Sequence, residues 1–580
     1  MFGINNINGN IITEERQLDT QQIQNLAYSI KNTVVKNVEN EEKTVAIALP
    51  RNEYLIATIW ALFDCRITFL LLDLDYPEER INEMLTLAKI ETIITMQDAE
   101  RAYDGRRKVF LDYLDEVTSN TQKYKKDNEI AYLMFTSGTT GIPKAVMVTY
   151  KGMNNFLKAI PKKVPIQENT RIGCFTNVMF DIFFLEGILP LLYQGTVVLA
   201  GYNECNNPKS IIRLISERSI NTLQLTPSRF RMLSYVDKEL TFLSHISVIM
   251  LGGEQVPYSL VEEIQKRGTV EIYNMYGPTE TTIWSTVSNL TNKKKVDIGQ
   301  PIQNTYIYIL DENHRKVRVN EIGEICITGS GLAQGYLYNK KQTEKVFLNG
   351  TPEIAERLYC TGDMGYVDES GNFFCLGRKD NQIKIRGHRV EVEEIEASFR
   401  RKTDIDDISV CWDSDNEQLI AFYISAKHIN EQEIRKSMID KIPNYMIPNE
   451  FIKVESFLYT KSGKLDRKLM LMKRKELERR ETYLYVEPDC MHTDMCLQER
   501  DEILESVIDI LSEVAKLDRE NFFEDTNLPT LGVDSITFVH MVVELEDMYD
   551  IEFDDEKMII SAFESVKGIS DYIKEKCNCL

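Results

Sequence analysis

A ten-residue segment, Phe135–Lys144, concentrates groups that bind anions. It combines four hydroxyl side chains, two glycines and one lysine directly after an apolar stretch that is typical of a buried strand. Glycines let backbone N–H groups approach an anion, the hydroxyls add donors, and Lys144 adds positive charge. The spacing of a Walker A loop is absent. Taken alone, the segment predicts either a phosphate-binding loop of another type or an ordinary turn.

Six further segments, all but one of which contain glycine and charged side chains, follow in this order: Asn274–Glu280, Gly323–Gly329, Tyr359–Asp363, Gly377–Glu391, Asn444–Pro448 and Lys461–Lys464. Together with the first segment they resemble the motifs of the acyl- and aminoacyl-adenylate-forming enzymes, from about residue 20 to residue 475. Within that superfamily the chain is most similar to the amino-acid adenylation domain of nonribosomal peptide synthetases. The segment Leu531–Ile536 resembles the attachment motif of their peptidyl carrier domain.

The resemblance implies that the carboxylate of an amino acid attacks the α-phosphorus of ATP and expels pyrophosphate. Catalysis of such a step is mostly positioning and charge neutralisation. The implied ATP- and AMP-binding residues are Thr136, Ser137, Gly138, Thr139, Thr140, Gly141, Asn274, Tyr276, Gly277, Thr279, Asp363, Arg378 and Lys384. Among them, the residues of the first segment would hold the β- and γ-phosphates. Tyr276 would stack on adenine beside Asn274, and Asp363 and Arg378 would bind the ribose.

Four residues carry the implied catalytic roles: Lys144, Glu280, Asp380 and Lys464. Glu280 would bind Mg²⁺, which favours one or two carboxylates together with phosphates. Lys464 would bridge the substrate carboxylate and the α-phosphate as a flexible point charge. Asp380 would be the hinge about which a small subdomain rotates, replacing the adenylation face by a thioester-forming face that carries Gly387. Closure that assembles a site in this way is a known gating device.

Asp181 matches the carboxylate that pairs with the substrate ammonium in amino-acid adenylation domains, and a lone buried carboxylate is costly unless it is paired. The implied substrate-binding residues are Asp181, Ile182, Leu185, Gln224, Met250, Gly252, Met275, Ile283 and Trp284. The set resembles that of glycine-selecting domains. Its bulky members would crowd a side chain at a cost of about 1–3 kcal/mol. Alanine remains the alternative, because one methyl group gives only about 10- to 200-fold discrimination.

Ser535 precedes an apolar-periodic helix and would by default be its N-cap. In a carrier domain the same serine carries 4′-phosphopantetheine, whose phosphate a helix N-terminus favours. The resemblance therefore implies ATP, Mg²⁺ and 4′-phosphopantetheine as cofactors and a phosphopantetheinyl transferase as partner. An acidic docking surface, or simply a solvated face, would comprise Glu544, Glu546, Asp547, Glu552, Asp554, Asp555 and Glu556. No condensation or thioesterase motif is visible, so a downstream condensation or tailoring enzyme would act in trans; a small activator protein is a possible further partner.

The elements that must position these residues follow an alternating pattern. Apolar stretches at Thr44–Leu49, Thr68–Leu72, Ala131–Thr136 and Thr222–Leu225 are separated by helix-length segments, which predicts α/β layering with parallel strands. From Ile298 onward, short strands with turn signals, among them Gly365–Val367, predict a smaller β-rich subdomain. The expected fold class is thus α/β with layered sheets and a β-rich subdomain. A small mobile α+β subdomain and an all-α four-helix carrier bundle would follow.

Length and composition support several units. At roughly 100–200 residues per domain, 580 residues predict about three to five. We expect an adenylation core at 1–377, a C-terminal subdomain at 378–475, a charged linker at 476–497 and a carrier domain at 498–576. From Leu497 to the end there are 22 acidic and 7 basic residues, so most of the net charge of −22 lies in the last unit. This distribution predicts a separate acidic module.

Several classes of protein are disfavoured. The negative net charge argues against general nucleic-acid binding, and no apolar run reaches the roughly 20 residues that span a bilayer. The eleven scattered cysteines predict reduced, mostly buried thiols, and no secretory signal is visible, so a cytoplasmic location is expected. Two alternatives stay open: an acyl- or aryl-acid ligase that uses CoA, and a degenerate adenylation domain that serves as a docking scaffold.

Overall fold

The structure is a computed structural model of the 580-residue chain. It describes all residues except 1, 40–42, 98–102, 113, 115–127, 139–142, 268, 381, 386, 403–404, 415–417, 426–433, 436–437, 439–440, 460–464, 475–501, 516–518, 520–521, 527, 529–532, 534, 550, 555–556, 564 and 579–580. The predicted site residues Thr139, Thr140, Gly141 and Lys464 and the predicted linker at 476–497 therefore lie outside the described residues, as does the side chain of Ser535.

In chain order, the α-helices of the described residues are α1 (Thr20–Asn37), α2 (Glu53–Cys65), α3 (Glu78–Leu87), α4 (Tyr150–Ala159), α5 (Phe183–Gly187), α6 (Tyr202–Asn206), α7 (Pro208–Glu217), α8 (Pro227–Val236), α9 (Tyr258–Lys266), α10 (Lys340–Val346), α11 (Val392–Lys402), α12 (Arg467–Met472), α13 (Glu502–Ala515), α14 (Ser535–Tyr549) and α15 (Val566–Asn578). The strands are β1 (Asn10–Ile12), β2 (Gln17–Leu18), β3 (Thr44–Ala48), β4 (Thr68–Leu71), β5 (Thr92–Thr95), β6 (Arg107–Phe110), β7 (Ile130–Thr136), β8 (Lys144–Thr149), β9 (Arg171–Cys174), β10 (Thr196–Leu199), β11 (Thr222–Leu225), β12 (Val248–Gly252), β13 (Glu271–Tyr276), β14 (Thr286–Asn289), β15 (Gln300–Pro301), β16 (Thr305–Leu310), β17 (Gly323–Gly329), β18 (Phe347–Leu348), β19 (Leu358–Val367), β20 (Phe373–Arg378), β21 (Gln382–Ile385), β22 (His388–Glu391), β23 (Asp407–Asp413), β24 (Gln418–Ile424) and β25 (Glu450–Lys453).

The chain divides into two compact units. The first contains residues 1–136 and 143–389, and the second contains residues 137–142 and 390–580. The segment from Arg378 to Arg389 thus belongs to the first unit. The boundaries expected from the sequence stay predictions, because compactness alone does not identify domains that fold independently.

Two sheets with mainly parallel strands form the larger part of the first unit. One has nine strands in the order β15-β14-β13-β12-β11-β9-β10-β1-β2, and the other has six in the order β6-β5-β3-β4-β7-β8. Strands β9 to β13 are parallel, and antiparallel pairing is confined to the ends of each sheet. The apolar runs therefore predicted the α/β layers correctly, since strands covered on both faces lack a polar side.

The expected β-rich part is an antiparallel sheet in the order β16-β17-β19-β18, with β20 paired to β19. Strand β19 is longer than predicted: the sequence indicated a short strand at Gly365–Val367, but the strand begins at Leu358. Gly362 adopts φ +79° inside it, and the register shifts between Met364 and Gly365. The strand therefore continues through a glycine of positive φ and through a bulge.

The second unit contains a three-stranded sheet, β23-β24-β25, against which α11 and α12 pack. Farther along the chain, α13 contacts both α14 and α15 through apolar faces, with Leu511, Val542 and Ile569 fully buried. Together with a 3₁₀ turn at Ile560–Ala562, these three helices are the described part of the predicted carrier bundle.

Two further features of the described residues bear on function. None of their helices is both long enough and apolar enough to cross a membrane. The eight cysteines in this part of the chain are free thiols, six of them buried, as the sequence predicted.

Candidate functional site

The floor of the candidate amino-acid pocket is formed where three parallel strands end. Gln224 on β11 lies beside Met250 on β12, and two residues farther along, Gly252 lies beside Met275 on β13. All four residues are buried. Ligands of open α/β sheets bind at the carboxyl ends of the strands, so the topology brings these predicted residues to the edge that is suited to a small ligand.

Gly252 and Trp284 leave almost no free volume between them. A Cβ atom added to Gly252 would lie 2.7 Å from the carbonyl oxygen of Met275 and 2.8 Å from Cη2 of Trp284. The Trp284 side chain is 2% exposed, and its Nε1 has no hydrogen-bond partner among the described residues. The indole therefore occupies the volume that the side chain of a larger ligand would require.

Asp181, another member of the predicted substrate-binding set, is a buried carboxylate. Its side chain does not cap the following helix, α5. Its Oδ2 atom has no hydrogen-bond partner within the described part of the chain. Burial raises the pKa of Asp181 to about 6, although the Thr279 hydroxyl and the Ile283 backbone N–H favour the ionised form. An unpaired buried carboxylate oxygen is costly. It is suited to a ligand that brings its own positive charge.

The loop that carries Ile283 and Trp284 is strained. Thr282 and Ile283 adopt φ +66° and +65°, which is a rare conformation for β-branched residues and costs about 1–3 kcal/mol for each residue. The Thr282 hydroxyl donates to the Gly331 carbonyl oxygen at 2.6 Å, and a Cβ on Gly152 would lie 2.5 Å from that hydroxyl oxygen. The surrounding contacts thus hold the pocket wall in a conformation that the loop would not adopt alone.

The ends of the phosphate-binding segment are defined. Thr136 on β7 pairs with Lys144 on the antiparallel strand β8. The Thr136 hydroxyl is buried without a partner among the described residues, which leaves a donor for a ligand. In the second unit, Ser137 is buried, and the Gly138 N–H donates to Glu394 Oε2 at 3.1 Å. A carboxylate oxygen therefore already occupies one backbone donor of the segment.

Glu280 is fully buried and is surrounded by positive charge. Nη1 of Arg389 lies 3.0 Å from Oε1 and 2.9 Å from Oε2, and the Tyr336 hydroxyl donates to Oε1 at 2.7 Å. The Lys144 ammonium lies 5.1 Å from the centre of the Tyr336 ring. Burial would raise the pKa of Glu280, but the charges of Arg389 and Lys144 outweigh it and hold the pKa below its usual value.

Glu280 also fits the predicted magnesium ligand. It is an ionised carboxylate that already holds a cation, the Arg389 guanidinium. Magnesium sites of nucleotide enzymes combine one or two protein carboxylates with phosphate oxygens. The donor set is thus suitable for Mg²⁺ once Arg389 is displaced.

A second carboxylate, Asp363, is held by two groups that the sequence placed around the nucleotide. The Tyr276 hydroxyl donates to Asp363 Oδ2 at 2.6 Å, and Arg378 lies 3.2 Å from Oδ1. Burial raises the pKa of Tyr276, and the adjacent charge of Asp363 adds to the effect. The predicted neighbour Asn274 donates to the Asp297 carbonyl oxygen at 2.8 Å. The orientation of Asp363 is therefore fixed from both sides.

The backbone before Asp363 is fixed by Glu324. Its two carboxylate oxygens accept from the Gly362 N–H at 2.9 Å and from Lys379 Nζ at 2.5 Å. Glu324, Cys326 and Cys360 form a group whose possible ligand atoms lie within 4.8 Å of one another. Because both oxygens of Glu324 are engaged and the thiols lie among apolar residues such as Leu358, we assign the group a structural role.

The predicted hinge residue, Asp380, forms a bidentate ion pair with Arg378. Both of its oxygens accept from the guanidinium at 2.7 Å. Burial would raise the pKa of Asp380, but Arg378 lowers it. Four residues later, Lys384 is exposed on β21, and its role at the nucleotide stays a prediction.

The two residues before Arg389, Gly387 and His388, contact residues close to the candidate amino-acid pocket. Gly387 adopts φ +82°, and a Cβ at this position would lie 2.8 Å from Cγ2 of Thr226. The ring of the next residue, His388, meets the ring of Phe180 edge-on at 4.6 Å. Phe180 directly precedes Asp181. The predicted thioester-forming residue therefore lies close to the pocket segment.

Two residues of this region were not predicted from the sequence. Arg389 lies inside a motif that was identified, but it received no role, and Tyr336 lies outside every motif. The signal for Arg389 was available, because an arginine in a glycine-rich segment of an anion-binding protein is a candidate partner for a carboxylate. Tyr336 gave no signal: it lies 56 residues from Glu280 along the chain, and only the tertiary fold brings the two side chains together.

The carrier segment supplies the last predicted residue. Ser535 is the first residue of α14, a helix of fifteen residues. A helix of this length presents unpaired backbone N–H groups at its start, which favour an attached phosphate.

Comparison with known proteins places these observations in a family context. Residues 17–337 match the family described as AMP-binding enzyme, and residues 505–573 match the phosphopantetheine attachment site. The dimodular nonribosomal peptide synthase of Bacillus subtilis (strain 168) is 32% identical over 478 residues, which cover 79% of this chain and 20% of that one. The chain thus spans only a fifth of the length of this curated relative.

Two solved structures are similar over nearly the whole chain. Holo-PA1221, a protein with adenylation and PCP domains bound to a vinylsulfonamide inhibitor, superposes with a TM-score of 0.80 at 22% identity, over 98% of this chain and 94% of that chain. Holo-AB3403, a four-domain nonribosomal peptide synthetase bound to AMP and glycine, gives a TM-score of 0.61 at 26% identity, over 99% of this chain and 42% of that chain. The first of these comparisons establishes the fold alone.

Proposed function

The chain belongs to the AMP-binding enzyme family, and from this premise we propose that it activates an amino acid, glycine in the first place, as aminoacyl-AMP. The activated aminoacyl group then passes as a thioester to phosphopantetheine on Ser535 of the same chain. The product enters the biosynthesis of a nonribosomal peptide or a related secondary metabolite.

The observation that carries this proposal is the unpaired Oδ2 atom of Asp181, which finds no partner among the described residues. An amino acid brings an ammonium group that pairs with this oxygen and offsets the cost of burying it. Fatty and aryl acids bring no such group, so they would leave the carboxylate buried and unpaired. Asp181 therefore favours an amino acid over the acyl- or aryl-acid alternative.

Glycine is favoured because Gly252, Met275 and Trp284 are already in close packing. AB3403, which is 26% identical to this chain, was crystallised with AMP and glycine, and this supports the assignment. Alanine is the nearest competitor, since a single methyl group changes binding by only about 1–3 kcal/mol.

We assign the adenylation step to residues that bind the phosphates, the ribose and the metal ion. Thr136 and Lys144, with the intervening loop, bind the phosphates, and Asp363 binds the ribose between Tyr276 and Arg378. Glu280 would hold Mg²⁺, which would supply neutralising charge to the phosphate oxygens. The carboxylate of the amino acid attacks the α-phosphorus, the bond to the bridging oxygen of pyrophosphate breaks, and pyrophosphate leaves with that oxygen. Lys464 stabilises the charge that develops at the α-phosphate.

The second step uses the carrier segment. Ser535 would carry the phosphopantetheine, whose thiol would displace AMP from the aminoacyl group. The partners are therefore a phosphopantetheinyl transferase, a condensation or tailoring enzyme that accepts the thioester in trans, and a small activator protein if adenylation requires one. We place the reaction in the cytoplasm, where the thiols stay reduced.

Amino-acid-dependent pyrophosphate exchange tests the proposal. All proteinogenic amino acids are compared at equal concentration, and fatty and aryl acids are assayed in parallel. Glycine should give the dominant signal; Asp181→Asn should lose it, whereas Asp237→Asn, which changes a helix end outside the pocket, should retain it. A dominant alanine signal would show that alanine, rather than glycine, is the substrate. Exchange with fatty or aryl acids alone would support the ligase alternative, and no exchange by a folded sample would support the scaffold.

A further inference from the structure

The Arg389 guanidinium forms an ion pair with the carboxylate of Glu280. One guanidinium nitrogen lies within 3.0 Å of both carboxylate oxygens, and one of these oxygens also accepts from Tyr336. Glu280 is inaccessible to solvent in this arrangement. Both oxygens of the proposed magnesium ligand are therefore engaged by groups of the protein itself.

A guanidinium and a magnesium ion cannot share this carboxylate. Magnesium requires oxygen ligands at about 2.0–2.1 Å in near-octahedral geometry and retains bound water. A nitrogen that is 2.9 Å from Oε2 fills the approach to that oxygen. Two cations in a buried site would also repel each other strongly, because the effective dielectric constant there is low. Binding of magnesium at Glu280 therefore requires Arg389 to leave.

The position of Arg389 is linked to that of Gly387 by chain geometry. Both residues lie in one short segment, in which His388 packs on Phe180 and Gly387 contacts Thr226. When this segment lies against the amino-acid side, it also delivers the guanidinium to Glu280. A shift of the segment that frees Glu280 would remove the Gly387 contact as well.

We propose that Arg389 is a positioning residue that replaces magnesium on Glu280 once pyrophosphate and its metal have left. The inference rests on the proposed function. The ion pair keeps Glu280 neutralised and prevents rebinding of the metal–pyrophosphate complex while Gly387 lies at the pocket. It thereby suppresses the reverse reaction, in which pyrophosphate attacks the α-phosphorus, re-forms ATP and releases the amino-acid carboxylate. The result is a directional order: metal departure, then transfer to the thiol.

The test uses the full chain and Mn²⁺ as a paramagnetic substitute for magnesium. Binding of Mn²⁺ with ATP, without amino acid, is measured by electron paramagnetic resonance for the wild type, Arg389→Ala, Arg389→Lys and Glu280→Gln. Arg267→Ala, which removes a surface ion pair with Glu239, is the matched control. Arg389→Ala should bind Mn²⁺ with ATP at least about fivefold more tightly. This factor is the lower end of the range typical when one binding event changes the affinity for another. The Arg267→Ala protein should equal the wild type.

A second readout follows the fate of the adenylate. Enzyme that carries preformed aminoacyl-AMP is mixed with magnesium pyrophosphate, and the amounts of ATP and of loaded carrier are measured in a single turnover. Arg389→Ala should shift the partition toward ATP, and Arg389→Lys, which retains the charge, should lie between it and the wild type. A merely structural role would lower both products together. Melting temperatures establish whether each variant is folded. If Arg389→Ala is not folded, the comparison of Arg389→Lys with the wild type decides the outcome.

Failure of this inference is distinguishable from failure of the proposed function. If the wild type exchanges pyrophosphate and Glu280→Gln weakens Mn²⁺ binding, but folded Arg389 variants match the wild type in both readouts, the inference is wrong and the function stands. If the wild type shows no metal-dependent exchange with any amino acid, the function itself is wrong.

Discussion

The hydroxyl of Tyr276, at the end of β13, donates a 2.6 Å hydrogen bond to Asp363 in β19. The contact joins the parallel sheet to the antiparallel sheet at the point where the nucleotide is expected. Because Asp363 is also held by Arg378, its carboxylate is oriented before any ligand arrives. Preorganisation of this kind lowers the cost of binding.

We first predict that Tyr276→Phe weakens ATP binding and leaves amino-acid binding unchanged. A hydrogen bond to a charged group contributes about 1.5–3 kcal/mol, so KM for ATP should rise roughly 10- to 100-fold. Tyr273→Phe is the matched control, because it removes a hydroxyl of the same strand that bonds to Glu271. Steady-state pyrophosphate exchange measures both. An unchanged KM for ATP in Tyr276→Phe would show that Asp363 does not depend on this bond.

The second prediction concerns pH. Burial raises the pKa of Asp181 to about 6, and only the ionised form pairs with an ammonium group. KM for glycine should therefore rise about tenfold between pH 7 and pH 5. In Asp181→Asn the value should be high and independent of pH over this range. A flat profile for the wild-type protein would contradict the role of Asp181.

The same shift has a consequence for stability without ligand. The folded pKa of Asp181 lies above the value of about 3.8 for an exposed aspartate. Its stabilising contribution is full below pH 3.8 and is lost as pH rises through 6, with a size of roughly 3 kcal/mol. Asp181→Asn should thus gain melting temperature relative to the wild type as pH rises from 5 to 7. Saturating glycine should reduce this difference, since the ammonium pairs with the carboxylate.

The third prediction is that Trp284 sets the size of the substrate. Trp284→Ala removes the indole beside Gly252 and should allow exchange with larger amino acids. Their kcat/KM relative to glycine should rise about 10- to 200-fold for each methylene accommodated. The substitution should also cost about 3–5 kcal/mol of stability, because it opens a cavity.

Gly252→Ala tests the same packing from the opposite side. Its Cβ would lie 2.7 Å from the Met275 carbonyl oxygen, so glycine activation should fall sharply. Gly568→Ala is the control, because a Cβ there would meet nothing nearer than 3.9 Å among the described residues. If Trp284→Ala and Gly252→Ala both retained wild-type selectivity, the crowding argument would be wrong.

The sequence was most informative where local pattern and topology coincide. The strand at Thr222–Leu225 was predicted with the bounds that the structure has, because a short apolar run between helices has few alternatives. Once β11 and β12 are parallel neighbours, the proximity of Gln224 and Met250 follows from their register. The layered sheets and the proximity of these two predicted substrate-binding residues were predictable for this reason.

Contacts between distant segments were not predictable from local pattern. Arg389 and Glu280 are separated by 109 residues, and no periodicity relates them. The prediction placed only Gly365–Val367 in a strand here, whereas in the structure β19 begins at Leu358 and contains Gly362 with a positive φ. Tertiary packing therefore decided both features.

The last prediction separates the two proposed steps. Ser535→Ala removes the hydroxyl at the start of α14 that would carry phosphopantetheine. It should abolish covalent capture of glycine and leave pyrophosphate exchange at the wild-type level, because adenylation does not need the thiol. Lys464→Ala should reduce exchange about 10²- to 10³-fold by loss of charge stabilisation at the α-phosphate, and covalent capture should fall with it, because the thiol reacts only with the adenylate.

Mass spectrometry after treatment with a phosphopantetheinyl transferase measures the first step of the handover. The wild type and Lys464→Ala should each gain one phosphopantetheinyl group, whereas Ser535→Ala should gain none. Ser565→Ala is the matched control, because this serine lies just before α15 and outside the attachment motif. Glycine captured by Ser535→Ala would require another nucleophile. Full exchange by Lys464→Ala would require another group to stabilise the α-phosphate. Either result would break the assignment of one step while leaving the other intact.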